Sequence, residues 1–209
     1  MSLRPVDAQA FERCIAAGGV AVFPADTVYG LACDPLDLKA VSRLYELKGR
    51  PPAKPAAVMF FSLDDALTAL PETGPRTVAA LAALLPGGLT VLLTNPRGRF
   101  ARACGPDPRT LGLRVPALPA AIAALCAVRS PVLQSSANLS GAADARTLAE
   151  VPPAIRDGAD LVLDGGALPG TPSAVLDLRA YEHEGRWSVL RDGAVGRAAL
   201  APVLGERAY

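Results

Sequence analysis

The apolar residues of this chain come in short runs, and proline or glycine closes nearly every one of them. The run at 20–23 stops at Pro24, that at 76–85 stops at Pro86-Gly87-Gly88, and that at 111–115 stops at Pro116. Proline removes a backbone N–H and pushes the residue before it toward extended geometry, so each such site ends a helix or seals a strand. With 20 prolines and 19 glycines in 209 residues, long elements are excluded. The longest apolar stretch, 118–128, has 11 residues and stops at Arg129. A membrane span needs roughly 20, so no membrane partner is expected.

The periodicity predicts an amphipathic helix capped by Asp7, with Phe11, Cys14 and Ile15 on one face and Gly18-Gly19 at its end. A buried strand over 20–23 follows. Asp37 then caps a second helix, whose Val41, Leu44, Tyr45 and Leu47 share a face and which ends at Gly49. Further strands are expected over 56–61, 89–93, 111–115, 131–134, 161–163, 174–178 and 187–190, and helices over 62–70, 76–85 and 117–128. Short strands alternating with helices predict an α/β layer architecture. No repeat or long linker divides the chain, so one domain over 1–209 is expected. Only the Pro-, Gly- and Arg-rich loop at 94–110 suggests a boundary or a flap.

Charge narrows the function. The 21 Lys and Arg nearly balance 20 Asp and Glu, for a formal net charge of +1. No polyanion partner follows from that balance, though a local basic patch is compatible with it. Only Lys39, Lys48 and Lys54 are lysines; the other 18 cations are arginines. The single histidine, His183, sits in a polar stretch read as a solvated turn and is given no role. One histidine excludes a multi-histidine metal site and argues against a serine–histidine triad. Cys14, Cys33, Cys104 and Cys126 lack CxxC spacing, so neither a disulfide framework nor a zinc cluster is expected. Reduced, mostly buried thiols and an N-terminus without a signal-type apolar run point to a soluble, cytoplasmic protein.

Four segments carry candidate chemistry. Pro24-Ala25-Asp26-Thr27-Val28-Tyr29-Gly30 is a polar turn directly after an apolar strand. It is either an ordinary capped turn or a place where Thr27 and Tyr29 offer hydroxyls to a ligand at a strand end. Lys48-Gly49-Arg50-Pro51-Pro52-Ala53-Lys54-Pro55 sets three cations in seven positions on a proline-stiffened loop. That is either a solvated helix end or a polyphosphate grip, and it is no Walker A loop. Gln134-Ser135-Ser136-Ala137-Asn138-Leu139-Ser140-Gly141 is a strand opening into small donors, which reads as a helix N-cap or a phosphate-binding nest. Arg114, inside the apolar strand of Thr110-Leu111-Gly112-Leu113-Arg114-Val115-Pro116, needs either a structural ion pair or a wet cleft.

In order along the chain, these segments resemble the YrdC family of threonylcarbamoyl-AMP synthases. The pattern PTDTVYGL is matched at 24–31, KGRPxxKP at 48–55, PGPLT at 86–90 and TxGxRxP at 110–116. SANLSG is identical at 136–141, PSTVVD is matched at 172–177 and LRPGAVG at 190–196. The resemblance implies a single YrdC-like domain: a twisted mixed sheet flanked by helices around a concave cationic cleft. The same resemblance leads to the expectation of a short form, without the extra C-terminal domain of longer relatives. The implied activity is that of a nucleotidyltransferase joining L-threonine, bicarbonate or CO2, and ATP into threonylcarbamoyl-AMP and pyrophosphate. The product would serve threonylcarbamoyl-adenosine formation at tRNA position 37.

By the same resemblance, Lys48 and Arg50 are the catalytic cations. Arg50, Lys54, Thr110, Ser136, Asn138 and Arg191 would bind ATP, and Thr27, Arg114, Gln134 and Ser173 would bind threonine. Mg2+ would be carried by the ATP phosphates with no protein metal site, and a tRNA threonylcarbamoyl transferase complex would act downstream. The chain departs from the family pattern at Ala25, Met59, Leu118 and Ala174, each of which replaces a polar residue. Two rivals therefore stay open: a divergent carbamoyl-adenylate-forming enzyme with another substrate, and a YrdC-like protein that contacts tRNA or other RNA directly.

Overall fold

The computed structural model describes residues 2–205. Nine strands alternate with short helices: β1 (Ala21–Pro24), β2 (Tyr29–Cys33), β3 (Ala57–Met59), β4 (Leu89–Thr94), β5 (Thr110–Arg114), β6 (Val132–Ser136), β7 (Leu161–Val162), β8 (Ala174–Asp177) and β9 (Ser188–Arg191). They form one mixed sheet in the order β7-β1-β2-β6-β3-β5-β4-β8-β9. The pairs β1/β7, β3/β5 and β4/β8 are parallel and the rest antiparallel. The helices are α1 (Pro5–Ala16), α2 (Leu38–Leu47), α3 (Leu63–Ala69), α4 (Pro75–Leu84), α5 (Pro153–Gly158), α6 (Tyr181–Glu184) and α7 (Arg197–Leu204).

Strand alternation decides where a ligand can sit. Successive side chains of a strand point to opposite faces of the sheet. One face carries Val22, Leu31, Val58, Leu133, Leu113, Val91 and Leu176, all in one apolar cluster with Leu44 of α2, Ala66 of α3, Leu81 of α4 and Leu200 of α7. The opposite face is covered over β1 and β2 and at the adjoining ends of β6 and β3. There Phe23, Ala32, Met59 and Val132 form a second cluster with Phe11 and Ile15 of α1 and with Leu125. Phe11 meets Phe23 and Phe61 at ring-centroid distances of 5.1 and 5.8 Å. Beyond that cluster the same face continues as Gln134, Ala57, Gly112, Arg114, Thr90 and Val175, which line a cleft.

Local signals explain most elements. Asp37 caps α2 by accepting the N–H groups of Lys39 and Ala40, and Ser62 caps α3 by accepting that of Asp65. Asp7 is not the cap expected of it. Arg4 is, because Pro5 starts the helix, and the Asp7 carboxylate reaches back to the Arg4 N–H at 2.8 Å. The helix expected over 117–128 is a 3-10 segment at Ala120–Ala127. Pro116 and Pro119 delay its start, and its alanine-rich sequence gives no amphipathic face to hold a longer α-helix.

Strand β2 and helices α5, α6 and α7 went unpredicted. Tyr29–Cys33 begins inside the segment read as a turn, and Pro202 lies inside α7. His183 lies exposed in α6 rather than in a turn. The loop at 94–110 is tied down, since the buried Asn95 amide donates to Arg99 O and Pro108 O, both at 2.8 Å. Of the cysteines, Cys33 and Cys104 are buried, Cys14 is half-buried and Cys126 is exposed; all four are free.

Candidate active site

The uncovered part of the sheet is the floor of a cleft of about 450 Å³. Four arginines line it (Arg50, Arg114, Arg179 and Arg191), together with two aspartates, Asp107 and Asp144. The middle of the floor is bare because Ala57 and Gly112, paired across β3 and β5, present almost no side chain.

Arg114 rises from β5 and is 4% exposed. Its Nη2 donates to Asp26 Oδ1 at 2.7 Å and to Thr27 Oγ1 at 3.4 Å, and its Nη1 donates to Gln134 Oε1 at 3.0 Å. The ion pair and the cleft are therefore both real, and the sequence alternatives were not exclusive. Its Nε is buried without a partner. Burial pushes the Asp26 carboxyl up and the Arg114 guanidinium down, while each charge opposes the shift of the other. Thr27 and Gln134 thus hold the arginine in place. Tyr29 does not offer its hydroxyl to the cleft. That group shares its one proton between Asp164 Oδ1 and Gly166 O and accepts from the Gly165 N–H, all within 2.9–3.0 Å.

The serine-rich turn is held from within. Lys48, the C-cap of α2, is 1% exposed. Its ammonium donates to Ser136 O, to Asn138 O at 2.7 Å and to Asn138 Oδ1 at 2.9 Å. Ser136 Oγ donates to the same Oδ1 at 2.6 Å, and Asn138 Nδ2 donates to Ala142 O at 2.5 Å. Burial, then the neighbouring Arg50, brings the Lys48 ammonium down to about 8. Of this group only Ser136 lines the cleft. Arg50 lines it too, with Nη2 donating to Pro55 O and Nε buried without a partner. Lys54 is exposed outside the lining, its Nζ 3.5 Å from Ser140 Oγ.

On the far wall, the Ser173 and Thr90 hydroxyls share a hydrogen bond of 2.9 Å, and Arg191 Nη2 donates to Ser173 O at 2.8 Å. Thr110 donates to Asp107 Oδ2 at 2.6 Å and accepts from Arg179 Nη1 at 3.3 Å. The cleft therefore gathers Arg50, Thr110, Arg114, Gln134, Ser136, Ser173 and Arg191 directly. Thr27, Lys48 and Asn138 act one contact away.

Sequence reasoning gave no role to Asp26, Thr90, Asp107, Asp144 or Arg179. Asp26 and Thr90 lay inside quoted motifs, whereas the other three had no signal beyond their charge. The four departures from the family pattern do not line the cleft. Ala25 and Met59 are fully buried in the Phe11 cluster, Leu118 packs beside it, and Ala174 is buried in the main core. Among the described residues no three His, Cys, Asp or Glu side chains gather as a metal site, and no helix is long and apolar enough to cross a membrane.

Comparison with known proteins identifies the family and the fold. The profile of the Sua5, YciO and YrdC family, described as "Telomere recombination", matches residues 13–193. A threonylcarbamoyl-AMP synthase of Xanthomonas campestris is 36% identical over 191 residues, covering 89% of this chain and 97% of that protein. One from Pyrococcus abyssi is 30% identical over 195 residues, covering 92% of this chain and 55% of that protein. The crystal structure of P. abyssi Sua5 complexed with L-threonine superposes with a TM-score of 0.86 at 26% identity. That match covers all of this chain but only 61% of the Sua5 chain. Escherichia coli YciO, at 24% identity and a TM-score of 0.79, shares the fold. Motif order, sheet and matched length lead to one assignment: this chain belongs to the Sua5/YciO/YrdC family.

Proposed function

We propose that this protein is a threonylcarbamoyl-AMP synthase. The observation that carries the reading is the convergence of the KGRP loop, the TxGxRxP strand, the SANLSG turn, the Pro172-Ser173 segment and Arg191 on one 450 Å³ cleft. The curated relatives bear that activity by name, and the P. abyssi structure holds L-threonine.

The chemistry asks for alignment and charge neutralisation, not for an activated nucleophile. The threonine amine adds to CO2, supplied by bicarbonate, and loses a proton to give a carbamate. A carbamate oxygen then attacks the α-phosphorus of ATP. The bond to the β-phosphate oxygen breaks, and pyrophosphate leaves with the magnesium that arrived with ATP.

In this reading Arg50, Lys54 and Arg191 neutralise the phosphates, making the cleft functionally cationic, and Ser136 and Thr110 position the nucleotide. Arg114, fixed by Asp26, Thr27 and Gln134, takes the threonine carboxylate, with Ser173 beside it. Lys48 and Asn138 hold the turn that presents Ser136. The product passes to a tRNA threonylcarbamoyl transferase complex in the cytoplasm. Direct RNA binding is the weaker reading, since no aromatic side chain lines the cleft to stack a base.

The test is pyrophosphate release by purified protein given ATP, Mg2+, bicarbonate and L-threonine. Release that depends on threonine is expected. ATP binding without threonine-dependent release would exclude the assignment, and release with another amine would identify a divergent substrate.

A further inference from the structure

The Asp144 carboxylate faces a cleft that the proposed function fills with polyphosphate, and it has no partner. It lines the cavity together with Arg50 and Ser136, yet among the described residues it makes no hydrogen bond and no ion pair. Its charge favours the Lys48 ammonium and the Arg114 guanidinium, but neither cation makes an ion pair or a hydrogen bond with it. Lys48 gives its donors to Ser136 and Asn138, and Arg114 is paired with Asp26 at 2.7 Å.

The other carboxylate of the cleft, Asp107, is already occupied. It accepts from Thr110 Oγ1 and from the Arg109 N–H. Asp144 is also not on a loose segment. Ala142 O accepts from Asn138 Nδ2, Ala145 O accepts from the Tyr29 N–H at 2.9 Å, and Arg146 O accepts from the Leu168 N–H at 2.8 Å.

A carboxylate on an anchored segment, with no ion pair of its own, repels a polyphosphate beside it unless a cation lies between them. Magnesium is a hard cation that binds through one or two carboxylates, substrate phosphates and water, rather than in an all-protein cage. The donor set here, one carboxylate without an ion pair in a lining that also holds Ser136 and no cluster of three acids, fits that mode. Resting on the reading that the cleft binds ATP, we propose that Asp144 is the protein's own ligand to the divalent cation that arrives with ATP. The protein would then recognise MgATP rather than free ATP.

The test is calorimetric titration of the whole protein with ATP, in EDTA and in Mg2+, without threonine and for wild type and Asp144→Asn. A second readout is the electron paramagnetic resonance of Mn2+–ATP on each protein. Mg2+ should tighten ATP binding to wild type, and Asp144→Asn should lose that gain by roughly tenfold or more, as expected for a metal contact. The variant should bind metal-free ATP at least as well as wild type, and the bound Mn2+ spectrum should change.

Two results overturn the proposal. In one, Asp144→Asn keeps the full Mg2+ gain. In the other, the gain survives while L-threonine binding weakens, so that the carboxylate serves the substrate ammonium. A wild-type protein that binds neither form of ATP overturns the proposed function as well, which separates the two failures.

Discussion

At the scale of single residues, the site is a set of charges whose partners were chosen by folding. Arg114 and Asp26 form a buried ion pair, and removing one partner strands the other in a low-dielectric interior. Arg114→Met should lower stability by about 3–5 kcal/mol in urea unfolding. The double variant Arg114→Met/Asp26→Asn should recover more than half of that loss. Lys48 makes a different prediction. Burial holds its folded-state pKa at about 8, against 10.5 in the unfolded chain. Between those pH values the unfolded chain binds more protons, so unfolding free energy from this group rises with pH. The penalty for its buried charge is full below about 8 and is relieved above it. The three accepting oxygens favour the ammonium and limit the relief. Wild-type stability minus that of Lys48→Met should therefore climb from pH 8 to pH 10, by at most about 3 kcal/mol. Urea titrations across that range check the sign. The sequence marked Arg114 and Lys48 as unusual by where they sit, but it could not name Asp26 or the Ser136 carbonyl as partners, because those contacts join residues 88 positions apart.

At the scale of elements, strand β5 builds the floor. Thr110, Gly112 and Arg114 point to the cleft by simple alternation, and Gly112 keeps its centre open. A Cβ added there would meet Ala56 O, Ala57 Cα and Thr90 Cγ2, each at 3.6 Å, which is ordinary contact. Gly112→Ala should therefore fold normally, and removing a strand glycine stabilises by roughly 0.5–1 kcal/mol. Gly112→Leu should fill the cleft and abolish ATP binding while the unliganded melting temperature falls little. Calorimetry and thermal unfolding on the two variants separate these effects. Elements with a strong local signal were legible: Asp37 as a cap, the helix beginning at Ser62, and β1, β4 and β5 as apolar runs. Strand β2 was not, because Tyr29 and Gly30 follow a polar turn and only pairing with β1 and β6 makes them a strand. The segment at 117–128 was misassigned because its residues are apolar all round, and periodicity then carries no information.

At the scale of the whole molecule, the two faces of the sheet divide the labour. One is buried by the main core, and the other is covered by α1 and Ala120–Ala127 over β1, β2 and the adjoining ends of β6 and β3, while the cleft occupies the uncovered part. Cleft residues come from six strands and from loops between elements, so a ligand there binds only the folded chain. MgATP at about 100 times its dissociation constant should add roughly 2.7 kcal/mol to stability and raise the melting temperature. Arg191→Ala should remove most of that rise and leave the unliganded melting temperature nearly unchanged, because Arg191 is exposed and its bonds reach only Ser173. A thermal shift series with and without MgATP reads both numbers. Replacing polar family residues by Ala25, Met59 and Leu118 belongs to this scale too. All three join the apolar layer around Phe11, so these changes consolidate the covering of the sheet and leave the cleft lining intact.

The sequence by itself determined the α/β class, the short elements and the residues that carry charge and hydroxyls into the site, because propensity, capping and motif order are local properties. It marked Arg50, Arg114, Ser136, Ser173 and Arg191 without placing them in one cavity. Tertiary structure decided which of them line the cleft and which brace it, that the Tyr29 hydroxyl serves a loop, and that Asp144 enters the cleft lining without an ion pair. These outcomes depend on which strands become neighbours and where the covering layer stops, and both are set by packing between segments far apart in the chain.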